Sequence, residues 1–313
     1  MSGYHRRKDL LAFEARADVA RVGPGAARMR WPKVGVIGAG RAGVGLALAL
    51  RRARVPVLGV HGRRQVDVPD GVVLSVGPRA PWLADAEVLL LAVGDGALAG
   101  LAADLAAAGV RPGAVALHLS GALTGEVLAP LAAAGASVGS MHPLMTVSSA
   151  PERAPRHLRG AAFVLEGEFE AVRVAERLVR ALGGVPLMIA PEAKTIYHAG
   201  AVFASNYLVT AMAAAERCLE RAGLTRAAAR EALLPLARAT LENLSEAGPE
   251  AALTGPVSRG DAGTVRGHRA ALEPEDRRLY DALAKATLTL AKARGLSGAA
   301  EAALLAALGD AIG

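Results

Sequence analysis

The sequence predicts two domains: an α/β domain built on a doubly wound parallel sheet, followed by an all-helical domain. With 313 residues, 52% of them hydrophobic, the chain can form two hydrophobic cores. Short apolar runs alternate with helical patterns up to about residue 190, which is typical of strands buried on both faces of a parallel sheet. After Pro191 only helical periodicity remains. We therefore expect an α/β domain over residues 31–190 and a helical domain over residues 191–313.

Residues 1–30 are expected to form an N-terminal extension with one short helix over residues 8–22. Residues 1–33 carry eight basic and three acidic side chains, which accounts for +5 of the formal net charge of +7. A pI near 10.0 invites a nucleic-acid interpretation, but the charge excess is local and only 3% of residues are aromatic. A nucleic-acid partner is not expected, and binding through this extension is kept as an alternative.

The predicted elements of the first domain follow in close succession. The predicted strands are residues 34–37, 55–60, 72–76, 88–93, 114–118 and 137–140. The predicted helices are residues 42–53, 97–108 and 123–134. A last strand, helix and strand, over residues 161–165, 170–182 and 185–189, are expected to extend the same sheet.

A glycine-rich turn joins the first strand to the first helix: Gly38-Ala39-Gly40-Arg41-Ala42-Gly43. In a GxGxxG turn the first glycine permits the tight turn, the second lets the backbone approach a pyrophosphate, and the third lets helix and strand pack closely. The phosphates then meet free N–H groups and the positive end of the helix dipole. The context therefore favours dinucleotide binding over an ordinary turn.

The end of the second strand predicts which dinucleotide is bound. An acidic residue there would bind the ribose 2′-OH of NAD, whereas this sequence has His61-Gly62-Arg63-Arg64 and no carboxylate before Asp67. The planar guanidinium group of arginine can donate paired hydrogen bonds to the 2′-phosphate of NADP(H). We predict NADP(H) bound by His61, Arg63 and Arg64; the alternative is a solvated charged loop.

Other polar residues follow the predicted strands at their carboxyl ends, where the ligand crevice of such a sheet lies. Val93, Gly94 and Asp95 are expected near the middle of the cofactor. Ser120 is a candidate for both catalysis and cofactor binding, and the candidate substrate-binding residues at this edge are His118, Gly121 and His142. The alternative for each histidine is a structural role with satisfied hydrogen bonds.

The first helix of the second domain carries Lys194, Tyr197, His198, Ser205 and Asn206. Lys194, His198 and Ser205 fall on one helical face, with Asn206 at its margin. A desolvated lysine can act as an acid or base near neutral pH, which arginine cannot. We interpret Lys194, His198 and Asn206 as catalytic candidates and Tyr197 as a substrate-binding candidate; a solvated face is the alternative.

A polar, glycine-rich segment over residues 253–261 is expected to be a loop that closes on the site. It would present Arg259 to an anionic substrate or phosphate. The alternative is a structural role for this segment, in which Thr264 simply caps the next helix.

These motifs together resemble a family that joins a Rossmann-like domain to a domain of unknown function (DUF2520), and the resemblance runs from about residue 33 to residue 290. The family is similar to pyrroline-5-carboxylate reductase, ketopantoate reductase and the 3-hydroxyacid dehydrogenases. The resemblance implies hydride transfer and a dimerising helical domain. Ser120-Gly121 looks like part of the Ser-Gly-Gly turn that holds a substrate carboxylate in the hydroxyacid dehydrogenases, with Ala122 in place of the second glycine. Lys194 matches their lysine, but His198 stands where they have asparagine.

We therefore predict a cytoplasmic, homodimeric NADP(H)-dependent reductase of a small C=O or C=N substrate. In this hypothesis Lys194 or His198 supplies the proton, while Ser120, Asn206 and Arg259 orient the substrate. The alternative is an NADP(H)-binding sensor or regulatory protein without turnover. A single cysteine, Cys218, excludes an internal disulfide and cysteine metal sites, and no metal is expected.

Overall fold

A computed structural model describes residues 30–146 and 150–309. Its centre is one eight-stranded sheet with the strand order β3-β2-β1-β4-β5-β6-β7-β8. The strands are β1 (Val34–Ile37), β2 (Val57–Gly62), β3 (Leu74–Val76), β4 (Val88–Leu91), β5 (Val115–His118), β6 (Ser137–Pro143), β7 (Ala162–Gly167) and β8 (Val185–Met188). The chain changes direction across the sheet at β1, between β2 and β4, as in a doubly wound fold.

One pair of strands departs from the expected parallel sheet. β6 and β7 are antiparallel, whereas the other neighbouring strands are parallel. A parallel neighbour needs a crossover long enough to return the chain to the opposite edge. The described part of the link from β6 to β7 holds only a 3₁₀ turn (Pro151–Arg153) and the short helix α4 (Ala154–His157). The chain therefore enters β7 from the edge where β6 ends.

Helices cover both faces of the sheet. On one face, α1 (Arg41–Arg52) and α5 (Phe169–Ala181) bury alanine, valine and leucine side chains against Val36, Leu90 and Leu117. On the other face, α2 (Asp95–Ala108) packs Leu98, Ala102 and Leu105 against Ile37 and Leu91. The predicted helix over residues 123–134 is a 3₁₀ segment (Gly125–Leu128) followed by α3 (Ala129–Ala133).

Residues in register across the sheet share a face. The row at the carboxyl ends of the central strands lies on the face covered by α2, because Ile37 and Leu91 belong to that core. Successive register partners in this row, which we call the edge row, are His61, Ile37, Leu91, His118, Ser140 and Glu166. Apolar side chains form its centre, and polar side chains lie at both ends.

The chain divides into two compact units between Ala199 and Gly200. The helices of the C-terminal part are α6 (Lys194–Ala204), α7 (Asn206–Arg221), α8 (Arg226–Ala252), α9 (Ala262–Ala271), α10 (Pro274–Ala293) and α11 (Gly298–Ala307). The expected all-helical character is confirmed. Ser205 separates α6 from α7, so the expected polar face from Lys194 to Asn206 does not lie on one continuous helix. Gly248, where φ is +78°, is a kink within α8.

The second unit has its own core, formed where α9, α10 and α11 meet. Val265, Leu288 and Leu304 are buried there. Cys218 on α7 is half-buried. In the described ranges, no helix is long and apolar enough to cross a membrane. The helix expected over residues 8–22 lies outside the described residues, and the expected homodimer stays a prediction.

Candidate functional site

The glycine turn between β1 and α1 is held by close packing at its first and last positions. Gly38 has φ +116°, and a Cβ atom there would lie 2.2 Å from the carbonyl oxygen of Ala92. A Cβ atom on Gly43 would lie 1.9 Å from the carbonyl oxygen of Gly38. A side chain at either position would force the turn or the adjacent β4 segment to move, so both positions require glycine for the fold itself.

The middle glycine differs, because the space beside it is open. A Cβ atom on Gly40 would meet no atom within 4 Å, and its φ of −79° is available to any residue. Gly40 is the N-cap of α1, whose first turn holds no acidic residue. Free N–H groups and the positive helix end therefore face an open space, which fits the pyrophosphate of a dinucleotide.

The residues predicted to select the cofactor occupy two environments. His61 is buried in β2, and its ring nitrogens lie 3.0 Å from Ser75 Oγ and 3.0 Å from the Gly77 carbonyl oxygen. Arg63 and Arg64 follow β2 and are exposed. In the described part of the chain, neither guanidinium makes a hydrogen bond or an ion pair. The two arginines are therefore available to an anion, while the His61 ring ties β2 to β3 and the segment after it.

The strand beside β1 ends in a second open turn. Val93 is half-buried, and Gly94 is the exposed N-cap of α2, with nothing within 4 Å of its Cβ position. Asp95 is exposed in the first turn of α2. The carboxyl ends of β1 and β4 thus meet at the change in strand order, with ligand-accessible backbone on both sides.

His118, at the end of β5, has no exposed surface and uses both ring nitrogens within the fold. The backbone N–H of Ser120 donates to Nδ1 over 3.1 Å, and Nε2 lies 3.1 Å from the Thr124 carbonyl oxygen. Nδ1 must therefore be the acceptor and Nε2 must carry the proton. Burial, reinforced by the nearby Lys194 ammonium, lowers the pKa of His118 to about 4. In this structure His118 shapes the loop after β5, and its predicted substrate contact stays untested.

Ser120 supports the same loop. Its Oγ accepts hydrogen bonds from the backbone N–H groups of Ala122, at 3.1 Å, and Leu123, at 3.0 Å. These bonds leave the hydroxyl proton of Ser120 available to a ligand.

Three aromatic side chains meet where the β5 loop, the end of β6 and α6 come together. His142 Nδ1 lies 2.6 Å from the Tyr197 hydroxyl oxygen, and the His142 and His198 rings pack edge to face with centroids 6.1 Å apart. A Cβ atom on Gly121 would lie 2.6 Å from His198 Nδ1 and 2.9 Å from His142 Nε2. Gly121 therefore makes room for both imidazoles.

The electrostatic environment separates the roles of these rings. Burial, with the nearby Lys194 and His198, lowers the pKa of His142 to about 4, and burial raises the pKa of Tyr197 to about 12. The His142–Tyr197 pair is therefore neutral near pH 7. Among the described residues, the buried Nδ1 of His198 finds no hydrogen-bond partner. His198 is thus the imidazole of this group that forms no hydrogen bond with the described part of the chain, and we call it the uncommitted imidazole.

Lys194 lies in a buried polar cluster with Ser140 and Glu166. The Lys194 ammonium donates to Ser140 Oγ and lies 3.4 Å from Glu166 Oε1. Glu166 Oε1 also accepts the backbone N–H of Gly125 at 2.9 Å. Side-chain exposure is 1% for Lys194 and 2% for Glu166. Burial lowers the pKa of Lys194, and the Glu166 carboxylate opposes this shift.

Sequence reasoning missed Ser140 and Glu166. The predicted strands end at residues 140 and 165, so the sequence indicates an ordinary strand residue at Ser140 and places Glu166 outside the predicted sheet. A carboxylate directly after the apolar run 161–165 was the available signal. Only the antiparallel register of β6 and β7 brings these side chains together.

Asn206 and Arg259 belong to the second unit. Asn206 is the exposed first residue of α7, and Arg259 is exposed in the turn before α9. Their catalytic and substrate roles stay predictions.

The cap considered for Thr264 was wrong in detail. Asp261 is the N-cap of α9, and its carboxylate accepts the Thr264 backbone N–H at 2.9 Å and the Thr264 hydroxyl at 2.6 Å.

Several solved structures resemble the chain. A candidate NADP oxidoreductase from Bacteroides fragilis is 22% identical, with a TM-score of 0.66, covering 83% of this chain and 98% of that protein. A Thermotoga maritima protein is also 22% identical, with a TM-score of 0.64 and coverages of 83% and 99%. The pyrroline-5-carboxylate reductase of Coxiella burnetii is 17% identical, with a TM-score of 0.51 and coverages of 89% and 96%. At these identities the likeness establishes the fold.

A search of curated proteins finds no match to this sequence. Two family matches divide the chain between them: residues 23–143 match the Rossmann-like domain, and residues 161–287 match the domain of unknown function (DUF2520). Both agree with the sheet, the glycine turn and the helical second part described above. The chain therefore combines a Rossmann-like domain with a DUF2520 domain.

Proposed function

We propose that the protein is an NADP(H)-dependent oxidoreductase that transfers hydride to a small C=O or C=N substrate. The observation that carries this proposal is the uncommitted imidazole of His198. It lies beside the neutral His142–Tyr197 pair. This pair is at the end of β6, in the same unit as the open glycine turn and three strands along the sheet from β1. A protein that only binds a dinucleotide needs no more than the glycine turn. A reductase also needs a proton donor for its substrate, and His198 could fill that role.

The proposed cofactor contacts follow from charge and open space. The pyrophosphate would lie beside Gly40 at the N-terminus of α1, and Arg63 and Arg64 would bind a 2′-phosphate. When bound, the cofactor would supply or accept the hydride. The name of the B. fragilis protein gives NADP, and a pyrroline carboxylate reductase of Plasmodium falciparum with a TM-score of 0.50 was solved with NADP bound; both agree with this choice.

The proposed proton path uses His198 as the donor to the substrate. His142 does not carry an imidazolium proton near neutral pH because its pKa lies near 4, so it cannot serve as the acid. Its bond to the Tyr197 hydroxyl instead fixes the ring that packs against His198. Ser120, with its hydroxyl proton free, and Gly121 would contact the substrate from the loop after β5.

The cofactor part is tested by titrating the full-length protein with NADPH and NADH and following nicotinamide fluorescence. The double variant Arg63→Ala/Arg64→Ala should weaken NADPH binding about 10- to 100-fold, which corresponds to about 1.4–2.8 kcal/mol. It should leave NADH binding nearly unchanged, because NADH has no 2′-phosphate. Arg278→Ala, an exposed arginine on α10, serves as the control. Equal weakening of both cofactors would contradict the proposed 2′-phosphate contact.

The catalytic part is tested by following NADPH oxidation with a panel of small oxo acids and cyclic imino acids. His198→Asn should abolish turnover of any accepted substrate while NADPH affinity stays the same. If the protein binds NADPH tightly but oxidises it with no member of the panel, the result would favour a sensor instead.

A further inference from the structure

We propose that Lys194 and Glu166 form a buried ion pair that positions the first turn of α6, and with it Tyr197 and His198, against His142. Lys194 would then be a positioning residue and not the proton donor. The consequence for turnover rests on the proposed function, whereas the positioning itself does not.

The contacts show how completely the pair is enclosed. Ser140 and Glu166 are register partners on β6 and β7, and the Lys194 ammonium reaches both. The Gly125 N–H supplies a further hydrogen bond to the same carboxylate oxygen that faces Lys194. With 1% of its side chain exposed, Lys194 has little access to a substrate that arrives from solvent.

The position of Lys194 within α6 explains what the pair would control. Lys194 is the first residue of the helix, and Tyr197 and His198 follow three and four residues later. Residues with these spacings lie on the same side of a helix. Fixing the Lys194 side chain to β6 and β7 therefore holds both rings over the end of β6, where His142 lies.

Burial makes the pair interdependent. A buried charge is tolerated when it is paired, and removing one partner leaves the other uncompensated. Without Lys194, the Glu166 carboxylate would keep only the Gly125 N–H as a partner among the contacts described above. Neutralising both members together removes this penalty, so a double substitution separates the charge effect from general damage to the fold.

The experiment compares Lys194→Met, Glu166→Gln and the double variant by thermal unfolding and by ¹⁵N NMR of the histidine rings. Each single variant should lower Tm by roughly 6–12 °C, from the cost of an unpaired buried charge and the Tm scaling for a chain of this size. The double variant should recover more than half of that loss. The His142 Nδ1 signal should lose its hydrogen-bonded shift in the single variants, because Tyr197 is no longer held in place.

The exposed pair between Lys292 and Glu301, at 2.8 Å, provides the matched control. Lys292→Met, Glu301→Gln and their combination should change Tm by less than about 2 °C and leave the His142 signal unaltered.

Three results would overturn the proposal. Additive Tm losses in the double variant would mean that the two charges are not coupled. An unchanged His142 signal in both single variants would mean that the pair does not position α6. Loss of turnover in Lys194→Met with an unchanged Tm would identify Lys194 as a catalytic residue. The first two readouts need no substrate, so a failure of the proposed reductase activity would be recognised separately.

Discussion

Gly40→Ala should weaken binding of the dinucleotide without destabilising the fold. A methyl group at this position meets no protein atom within 4 Å, and the backbone conformation suits alanine. The unliganded protein should therefore fold normally, with stability unchanged or raised by about 0.4–1 kcal/mol through a less flexible unfolded chain. The same methyl group would occupy the space in which a pyrophosphate approaches the N-terminus of α1.

The expected loss of affinity follows from the hydrogen bonds that the displaced phosphate would give up. A hydrogen bond to a charged group contributes roughly 1.5–3 kcal/mol. Losing one such bond would weaken NADPH binding by about 10- to 100-fold. Isothermal titration calorimetry measures the affinity, and thermal unfolding without ligand measures the fold.

Two other glycines provide the comparison. Gly100→Ala in α2, where the Cβ position is also open, should leave NADPH affinity unchanged. Gly43→Ala, whose Cβ would lie 1.9 Å from a backbone oxygen, should lower Tm before any binding is measured. If Gly40→Ala bound NADPH as tightly as the unmodified protein, the phosphates would not cross α1 at this turn, and the assignment of the site would be wrong.

Two further predictions concern the histidines. The pKa of His118 is about 4 in the folded protein and about 6.5 when unfolded, so the unfolded chain takes up the proton first as pH falls. His118 therefore contributes full stability above pH 6.5 and loses up to about 3 kcal/mol by pH 4. Urea unfolding across this range should show a shallower loss for His118→Gln, and equal slopes would contradict the interpretation. Tyr197→Phe removes the 2.6 Å contact to His142 and should lower the free energy of unfolding by about 1 kcal/mol. Tyr280→Phe, which breaks the more exposed contact to His268, should lower the free energy of unfolding by less. A larger decrease for Tyr280→Phe would show that the buried His142–Tyr197 contact is not the more stabilising of the two.

Much of the first unit could be predicted because its signals are local. Continuous apolar runs bounded by glycines and charges mark strands buried on both faces, and the strand at residues 34–37 was predicted at its exact bounds. The glycine turn could be predicted in the same way, because its GxGxxG spacing is local, although the residue that Gly38 packs against, Ala92, follows β4. The helical second part followed from the loss of strand signal after Pro191.

The parts that could not be predicted depend on the direction and register of strands. An apolar strand buried on both faces reads the same in either direction, so the reversal at β7 left no trace in periodicity. The cluster of Lys194, Ser140 and Glu166 joins residues from three elements, and its geometry follows from that reversal. The break at Ser205 was also hidden, because serine is tolerated within a helix and the apolar periodicity continues through it.

The polar residues of the edge row also help the strands to pair in the correct register during folding. Successive residues of β6 face opposite sides, so a slip of one residue against β5 would exchange Ser140 for Gly139 or Met141. Met141 would then bring a thioether to the buried ammonium of Lys194, and Ser140 would enter the apolar core against α1 and α5. Both changes are costly, so mispaired sheets are disfavoured by the same polar residues that build the site. Substitutions in this row should therefore lower the yield of correctly folded protein as well as any activity.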